Sequence, residues 1–243
     1  MKQLQRVVVV GGSTASGHSI DEDKNFGYLT STRLDLPLHF YTSDLAKMEQ
    51  LNEIIESSDI SKNDLVLILA GIGDSWPQPQ GIFQRILPPS WRGAGKMNPA
   101  SRMSRSFSRR IRQRVRHFLK FSVKLFFWIL GYYRPDTNKA KFSTDVSNII
   151  QTIQKIGCPT IWLFPQKPRI FSTFIELSTV RKYISIITNQ LEESGAENIL
   201  AIDINSVIDD QADILGDGLH LAESGHEKVA QKIVSSTTEI FKG

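Results

Sequence analysis

Three residues near the two ends of the chain have types that could share a proton. Ser13 stands in "VVVVGGSTASGHS" (residues 7–19), after four valines and two glycines and four residues before Gly17. Near the other end, "GDGLH" (residues 216–220) sets Asp217 three residues before His220, in a turn ahead of a helical segment. A carboxylate at that spacing can keep one imidazole nitrogen protonated, leaving the other to take the proton of a serine hydroxyl. A hydroxyl activated in this way attacks carbonyl carbons. Each piece alone has a plainer reading: glycines for a turn with Ser13 as a helix N-cap, a capping aspartate, a surface histidine. Together they favour the reactive hydroxyl.

Binding of a phosphate or a cofactor fits less well. There is no GK[ST], and glycines at positions 11, 12 and 17 do not make G-x-G-x-x-G. The second strand candidate reaches Asp44 only after further polar and aromatic residues, so a ribose-binding carboxylate is missing. No cofactor is expected. No metal is expected either, since His18, His39, His117, His220 and His226 have no ligand spacing. His226 reads as a structural partner of the terminal turn.

The elements that must position these residues alternate. Arg6 to Val10, Leu36 to Tyr41, Asp64 to Ala70, Thr160 to Phe164 and Asn198 to Ile202 read as strands. Segments with apolar residues at helical spacing lie between them, among them "LAKMEQLNEIIESS", "FSTDVSNIIQTIQKIG" and "FIELSTVRKYISIITNQLEESG". This pattern predicts a parallel sheet covered on both faces. A last helix is announced by Ser224 and Glu227 at capping-box spacing. Ligands of such sheets bind beyond the carboxyl ends of the strands, where the loops at Ser13, at Gly71 to Trp76 and at Gly216 to His220 would converge.

The chain resembles the SGNH, or GDSL-type, hydrolases. "GGSTASG" with Ser13 and Gly17 stands for the family's "GDSxxxG", "GIGD" with Gly71 and Asp74 for its "GxND", and Asp217 with His220 for its "DxxH". The resemblance spans the chain apart from one basic insertion. It implies an α/β, flavodoxin-like three-layer α/β/α fold with a parallel five-stranded sheet in the order 2-1-3-4-5. It also implies ester hydrolysis or acyl transfer through an acyl-serine, with Ser13 as nucleophile, His220 as base and Asp217 orienting it. Gly12 replaces the family aspartate, and Gly73 stands where the family has an oxyanion-binding asparagine. The family's second-block glycine has no equivalent in "YTSDLAK" (residues 41–47). Backbone amides of Ser13, Ser43 and Gly73 are then the candidate oxyanion donors, with Asp74 and Trp76 the neighbouring candidates for substrate contact.

The 243 residues carry a net charge of +4, unevenly placed. Residues 75–135 hold thirteen Lys and Arg and no Asp or Glu, so the remainder is acidic. We read residues 1–243 as a single SGNH-like domain with a basic insertion at 75–135. The insertion repeats apolar residues at Phe107, Ile111, Val115, Phe118, Ser122, Leu125 and Ile129, as a long helix would. Four readings stay open: a helix packing that stripe on the domain, one meeting an anionic membrane surface, nucleic-acid binding as the least favoured, and a cap that attracts an acidic glycan or lipid head group to the catalytic rim. Arg109, Arg112, Arg116 and Lys120 are the candidate anion contacts. Trp76 and Trp91, in the proline-rich stretch ahead of the helix, either stack on sugar rings or pack that loop.

No apolar run reaches spanning length, and Val7 to Val10 is too short for a secretory leader. A lone Cys158, read as a buried thiol, cannot form an internal disulfide. These features lead us to expect a cytoplasmic protein, at most peripheral to the inner face of a membrane. The expected substrate is a small-molecule or glycan ester, in particular an acylated carbohydrate or lipid-linked carbohydrate. The rival reading is a catalytically silent SGNH-fold protein that uses its basic insertion to hold an anionic membrane, glycan or protein partner.

Overall fold

The computed structural model describes residues 4–43, 46–86, 107–165, 174–208, 211–215 and 220–240. In chain order the elements are β1 (Arg6–Gly11), α1 (Phe26–Leu34), β2 (Leu38–Thr42), α2 (Met48–Ser57), β3 (Asp64–Leu69), α3 (Ile72–Ser75), β4 (Pro77–Pro79) and α4 (Phe83–Ile86). There follow α5 (Phe107–Ile129), β5 (Tyr133–Pro135), α6 (Lys139–Ile156), β6 (Thr160–Phe164), α7 (Phe174–Ser194), β7 (Ile199–Asp203) and α8 (Glu223–Ile240).

Five strands pair in parallel in the order β2-β1-β3-β6-β7. The two remaining short strands form a separate antiparallel ribbon, so the sheet has the expected 2-1-3-4-5 order among its own strands. β1 lies between β2 and β3, with Val7 opposite Leu38 on one side and Leu65 on the other. Both of its faces are covered, which is why its valines run without polar alternation. Val8 and Val10 pack with Met48, Leu51, Phe142, Val146 and Ile187 under α2, α6 and α7. Val7 and Val9 pack with Phe26, Val229 and Ile233 under α1 and α8. Each such side chain contributes on the order of 1.5–3 kcal/mol by leaving water. Cys158 is fully buried just ahead of β6, and burial raises its thiol pKa.

Helix α1 carries no sequence signal of the usual kind. Its buried residues are Phe26, Gly27, Thr30 and Ser31, one aromatic ring with small and polar residues instead of an apolar stripe. Asn25 starts it by accepting a hydrogen bond from the Gly27 amide.

The expected capping box of α8 does not form. The helix begins at Glu223, Ser224 Oγ donates to the Ala212 carbonyl at 3.1 Å, and Glu227 pairs with Arg33 of α1. Close packing explains the shift: a Cβ at Gly225 would lie 2.2 Å from the Asp213 carbonyl oxygen, so the first turn is pressed against the 3-10 turn Gln211–Asp213.

The insertion leaves the domain after β3 and returns before α6. Its base is closed by the β4–β5 ribbon, with Gln78 opposite Arg134, and by the Gln80 amide donating to the Tyr132 carbonyl at 2.7 Å. Packing of the apolar stripe on the domain, one of the four readings, does not hold along its length: Val115, Phe118 and Ile129 are exposed, Ser122 and Leu125 are half-buried, and the side chains of Phe107 and Ile111 lie outside the described residues. Lys124 points inward and pairs with the buried Glu176 of α7.

His226 is buried on α8, stacked on the Phe26 ring with centroids 5.6 Å apart, and its Nδ1 accepts the Phe26 amide at 3.1 Å. An accepting Nδ1 carries no proton, so charging this imidazole breaks the bond to the start of α1. Burial, and to a smaller extent the neighbouring His220, pull its pKa down to about 4. In the unfolded chain a histidine titrates near ~6.5, so the stability tied to neutral His226 is whole above about pH 6.5 and is lost as the pH falls toward about 4, by up to about 3 kcal/mol. Urea midpoints measured between pH 7 and pH 4.5 should therefore fall more steeply for the wild type than for His226→Asn, whose amide oxygen can still accept from Phe26.

Candidate active site

The loop after β1 is held by its own backbone. Gly12 donates to the Leu69 carbonyl at 3.3 Å, Ser16 to Gly12 at 3.1 Å and His18 to Ser13 at 3.0 Å. Ser13 therefore sits in a series of turns and does not cap a helix. Gly17 has φ +78°, and a Cβ there would approach Asn25 Nδ2 to 2.6 Å. That amide nitrogen donates to the Ala15 carbonyl at 2.9 Å, while its oxygen holds the Gly27 amide at 2.6 Å. One buried asparagine thus fastens the Ser13 loop to the start of α1. Sequence reasoning missed it, although an asparagine ahead of "FGYLTSTRL" is an N-cap signal.

His220 is held by a clasp in front of α8. Ile214 and Leu221 form an antiparallel bridge, Leu215 donates to the His220 carbonyl at 2.8 Å, and Ala222 donates to the Asp213 carbonyl at 2.9 Å. Asp213 is buried and pairs with Lys228 at 2.7 Å. The clasp brings His220 Nε2 to 2.9 Å from Ser13 Oγ. At that separation a hydroxyl can pass its proton to a neutral imidazole. His18 lies beside the pair, its ring 4.5 Å from that of His220, a neighbour the sequence did not single out. Asp217 lies outside the described residues.

The third loop begins with Gly71, at φ +109°, and continues into α3. Gly73 lies in the first turn of α3, where backbone N–H groups have no carbonyl within the helix to reach. Among the described residues the Ser13 amide likewise has no protein acceptor. The expected amide donor at Ser43 is corrected by the structure: it donates to the Gly11 carbonyl at 3.1 Å, extending the β1–β2 pairing.

Asp74 and Trp76 are corrected as substrate contacts. Asp74 is 1% exposed, its Oδ2 accepting the Met48 amide at 2.8 Å and its Oδ1 the Thr137 hydroxyl at 2.7 Å. It joins the start of α2 to the chain returning from the insertion. Burial raises its pKa against these two bonds, which lower it. Trp76 is 3% exposed and packs with Ile72, Val180 and Ile184, so it fills space beneath α7. Of the candidate anion contacts, Lys120 is half-buried on α5, and the side chains of Arg109, Arg112 and Arg116 lie outside the described residues, as does Trp91. Among the described residues no group of His, Cys, Asp or Glu is arranged to hold a metal ion.

No protein-family model matches the chain, and no curated protein matches it. Solved structures do. A member of the lipolytic protein G-D-S-L family from Veillonella parvula DSM 2008 superposes with a TM-score of 0.57 at 13% identity, covering 96% of this chain and 98% of its own. The fold is that of the SGNH, or GDSL-type, hydrolases. Axe2, an acetylxylan esterase from Geobacillus stearothermophilus, matches in its catalytic serine-to-alanine mutant with a TM-score of 0.58 at 13% identity, over 99% of this chain and 97% of its own. The psychrotrophic esterase EstA from Pseudoalteromonas sp., in a structure inhibited by monoethylphosphonate, matches with a TM-score of 0.56 at 10% identity, over 98% and 100%. The loops after β1 and β3 leave the same end of the parallel sheet, and His220 reaches the first of them at Ser13.

Removing the Asp74 carboxylate tests its structural role. Asp74→Ala strands the Met48 amide and the Thr137 hydroxyl without a partner, at about 1–3 kcal/mol for each buried group. Asp74→Asn keeps an acceptor for one of them. In urea denaturation Asp74→Ala should lose markedly more stability than Asp74→Asn.

Proposed function

We propose that the protein is a serine ester hydrolase or acyltransferase whose nucleophile is Ser13, and the observation that carries this reading is the 2.9 Å contact between Ser13 Oγ and His220 Nε2. His220 accepts the serine proton as Oγ bonds to the ester carbonyl carbon. The resulting oxyanion lies against the amides of Ser13 and Gly73. Collapse expels the alcohol, which leaves with the proton held by His220, and an acyl-Ser13 remains. Water, or a sugar hydroxyl in the transfer reaction, then gives its proton to His220 and attacks the acyl carbon, and Ser13 recovers its proton as the acyl group departs. Asp217 holds the far imidazole nitrogen in this scheme.

An acylated carbohydrate, free or lipid-linked, is the proposed substrate class. The acetylxylan esterase among the structural neighbours supports it. So does the basic insertion, which follows directly on the Gly73 loop and favours acidic substrates near the rim.

A fluorophosphonate probe should label Ser13, with labelling abolished in Ser13→Ala and in His220→Ala. Equal labelling of wild type and His220→Ala would contradict the proton transfer, and no labelling of wild type would favour the catalytically silent protein. A second test addresses the oxyanion. A single oxyanion donor is worth about 100- to 1000-fold in rate. Gly73→Asn, adding a side-chain amide, should raise kcat for an aryl acetate by about tenfold or more with little change in KM, since the gain is confined to the transition state.

A further inference from the structure

Helix α5 is turned the opposite way from a helix that packs on its own domain. Lys124, 7% exposed, faces inward and pairs with Glu176, which also accepts the Tyr133 hydroxyl at 2.8 Å. The lysine ammonium stands 5.6 Å from the centroid of the Tyr133 ring. At about 100° per residue, Val115, Phe118, Leu119, Phe126 and Ile129 fall within an arc of about 100°, with Lys124 roughly opposite its centre. All five are exposed, Phe118 at 63% and Ile129 at 69%. Trp128, Leu130 and Tyr132 continue the exposed apolar surface at the carboxyl end. A contiguous apolar face of this kind marks an interaction surface.

We propose that this face docks on an anionic lipid bilayer, with the helix lying in the plane of the interface and fastened to the domain by the buried Lys124–Glu176 pair. Charge complementarity selects the occupant. The insertion carries thirteen Lys and Arg without an acid, and a surface of anionic head groups above acyl chains satisfies cations and apolar side chains together. Trp128 and Tyr132 have the amphipathic rings that suit the head-group level. A second copy of the chain would bring two such cationic insertions against each other, and a nucleic-acid backbone gives Val115, Leu119 and Ile129 nothing to bury against. No helix among the described residues is long and apolar enough to cross a membrane. The proposal does not depend on the chemistry at Ser13, and its failure would leave that reading untouched.

Co-sedimentation of the full chain with vesicles tests it. Binding is expected to equimolar phosphatidylglycerol and phosphatidylcholine, not to phosphatidylcholine alone, and to fall at least about tenfold between about 50 mM and about 500 mM salt as screening shortens. The double variant Phe118→Ser, Ile129→Ser should bind about tenfold more weakly or worse, with its urea midpoint unchanged because both side chains are exposed. Ser13→Ala should bind as the wild type does. Absence of binding at low salt, equal binding to uncharged vesicles, or full binding by the double variant would overturn the proposal. So would a wild-type dimer that the double variant converts to monomer in light scattering without any vesicle binding, or displacement from vesicles by an oligonucleotide that binds more tightly.

Discussion

One hydrogen bond of 2.9 Å, between Ser13 and His220, joins residues 207 positions apart in the chain. Nothing local can make it. Ser13 is placed by β1, an inner strand of the sheet, and His220 by a clasp that α8 holds in the same helical layer as α1. The bond therefore forms only when the sheet is in register and α1 and α8 are packed beneath it. A reactive pair must be held to within roughly 0.5 Å of its working geometry, which is what the rigid surroundings supply. Asn25 from the α1 side and the Ile214–Leu221 bridge from the α8 side are the two braces.

The buried charged and titratable groups around this site are structural. Asp74 ties α2 to the returning insertion, Asp213 holds Lys228 beneath the His220 clasp, and Glu176 anchors α5. Burial lowers the pKa of His226, and its Nδ1 accepts the Phe26 amide. A buried group that keeps its partners stabilises the native arrangement, and one that loses a partner costs far more than the bond was worth. Behind the half-buried serine and imidazole, Asp74 and Asp213 each keep their partners, which holds the surrounding helices in place.

The inner strands β1, β3 and β6 were legible in the sequence because both of their faces are covered, so each is an apolar run, while the edge strands β2 and β7 are apolar stretches with exposed positions such as His39. Ser13 and His220 were legible because loops at the carboxyl ends of such strands converge whatever their sequence distance. Helix α1 was not, since it packs through Phe26, Gly27, Thr30 and Ser31 with no apolar period. Asp74 was misplaced for a different reason: its motif position suggests the substrate side, while its backbone in α3 turns the carboxylate toward Met48 and Thr137. The α5 stripe had a clear period but an ambiguous direction. Periodicity reports that a face is apolar and does not say what covers it; the Lys124–Glu176 pair decides that the domain does not.

The departures from the SGNH pattern shape the chemistry left to this chain. On the proposed reading, with Gly73 in the asparagine position and the Ser43 amide engaged by Gly11, the backbone amides of Ser13 and Gly73 are the donors left to meet a developing oxyanion. The most direct measurement is a crystal structure of the protein inhibited by an organophosphonate. A phosphorus bonded to Ser13 Oγ, with a non-bridging oxygen about 2.7–3.1 Å from the amides of Ser13 and Gly73 and His220 Nε2 facing the ester oxygen, is the result this account predicts. Phosphonylation of a different side chain, or an adduct on Ser13 whose oxygens meet neither amide, would contradict it.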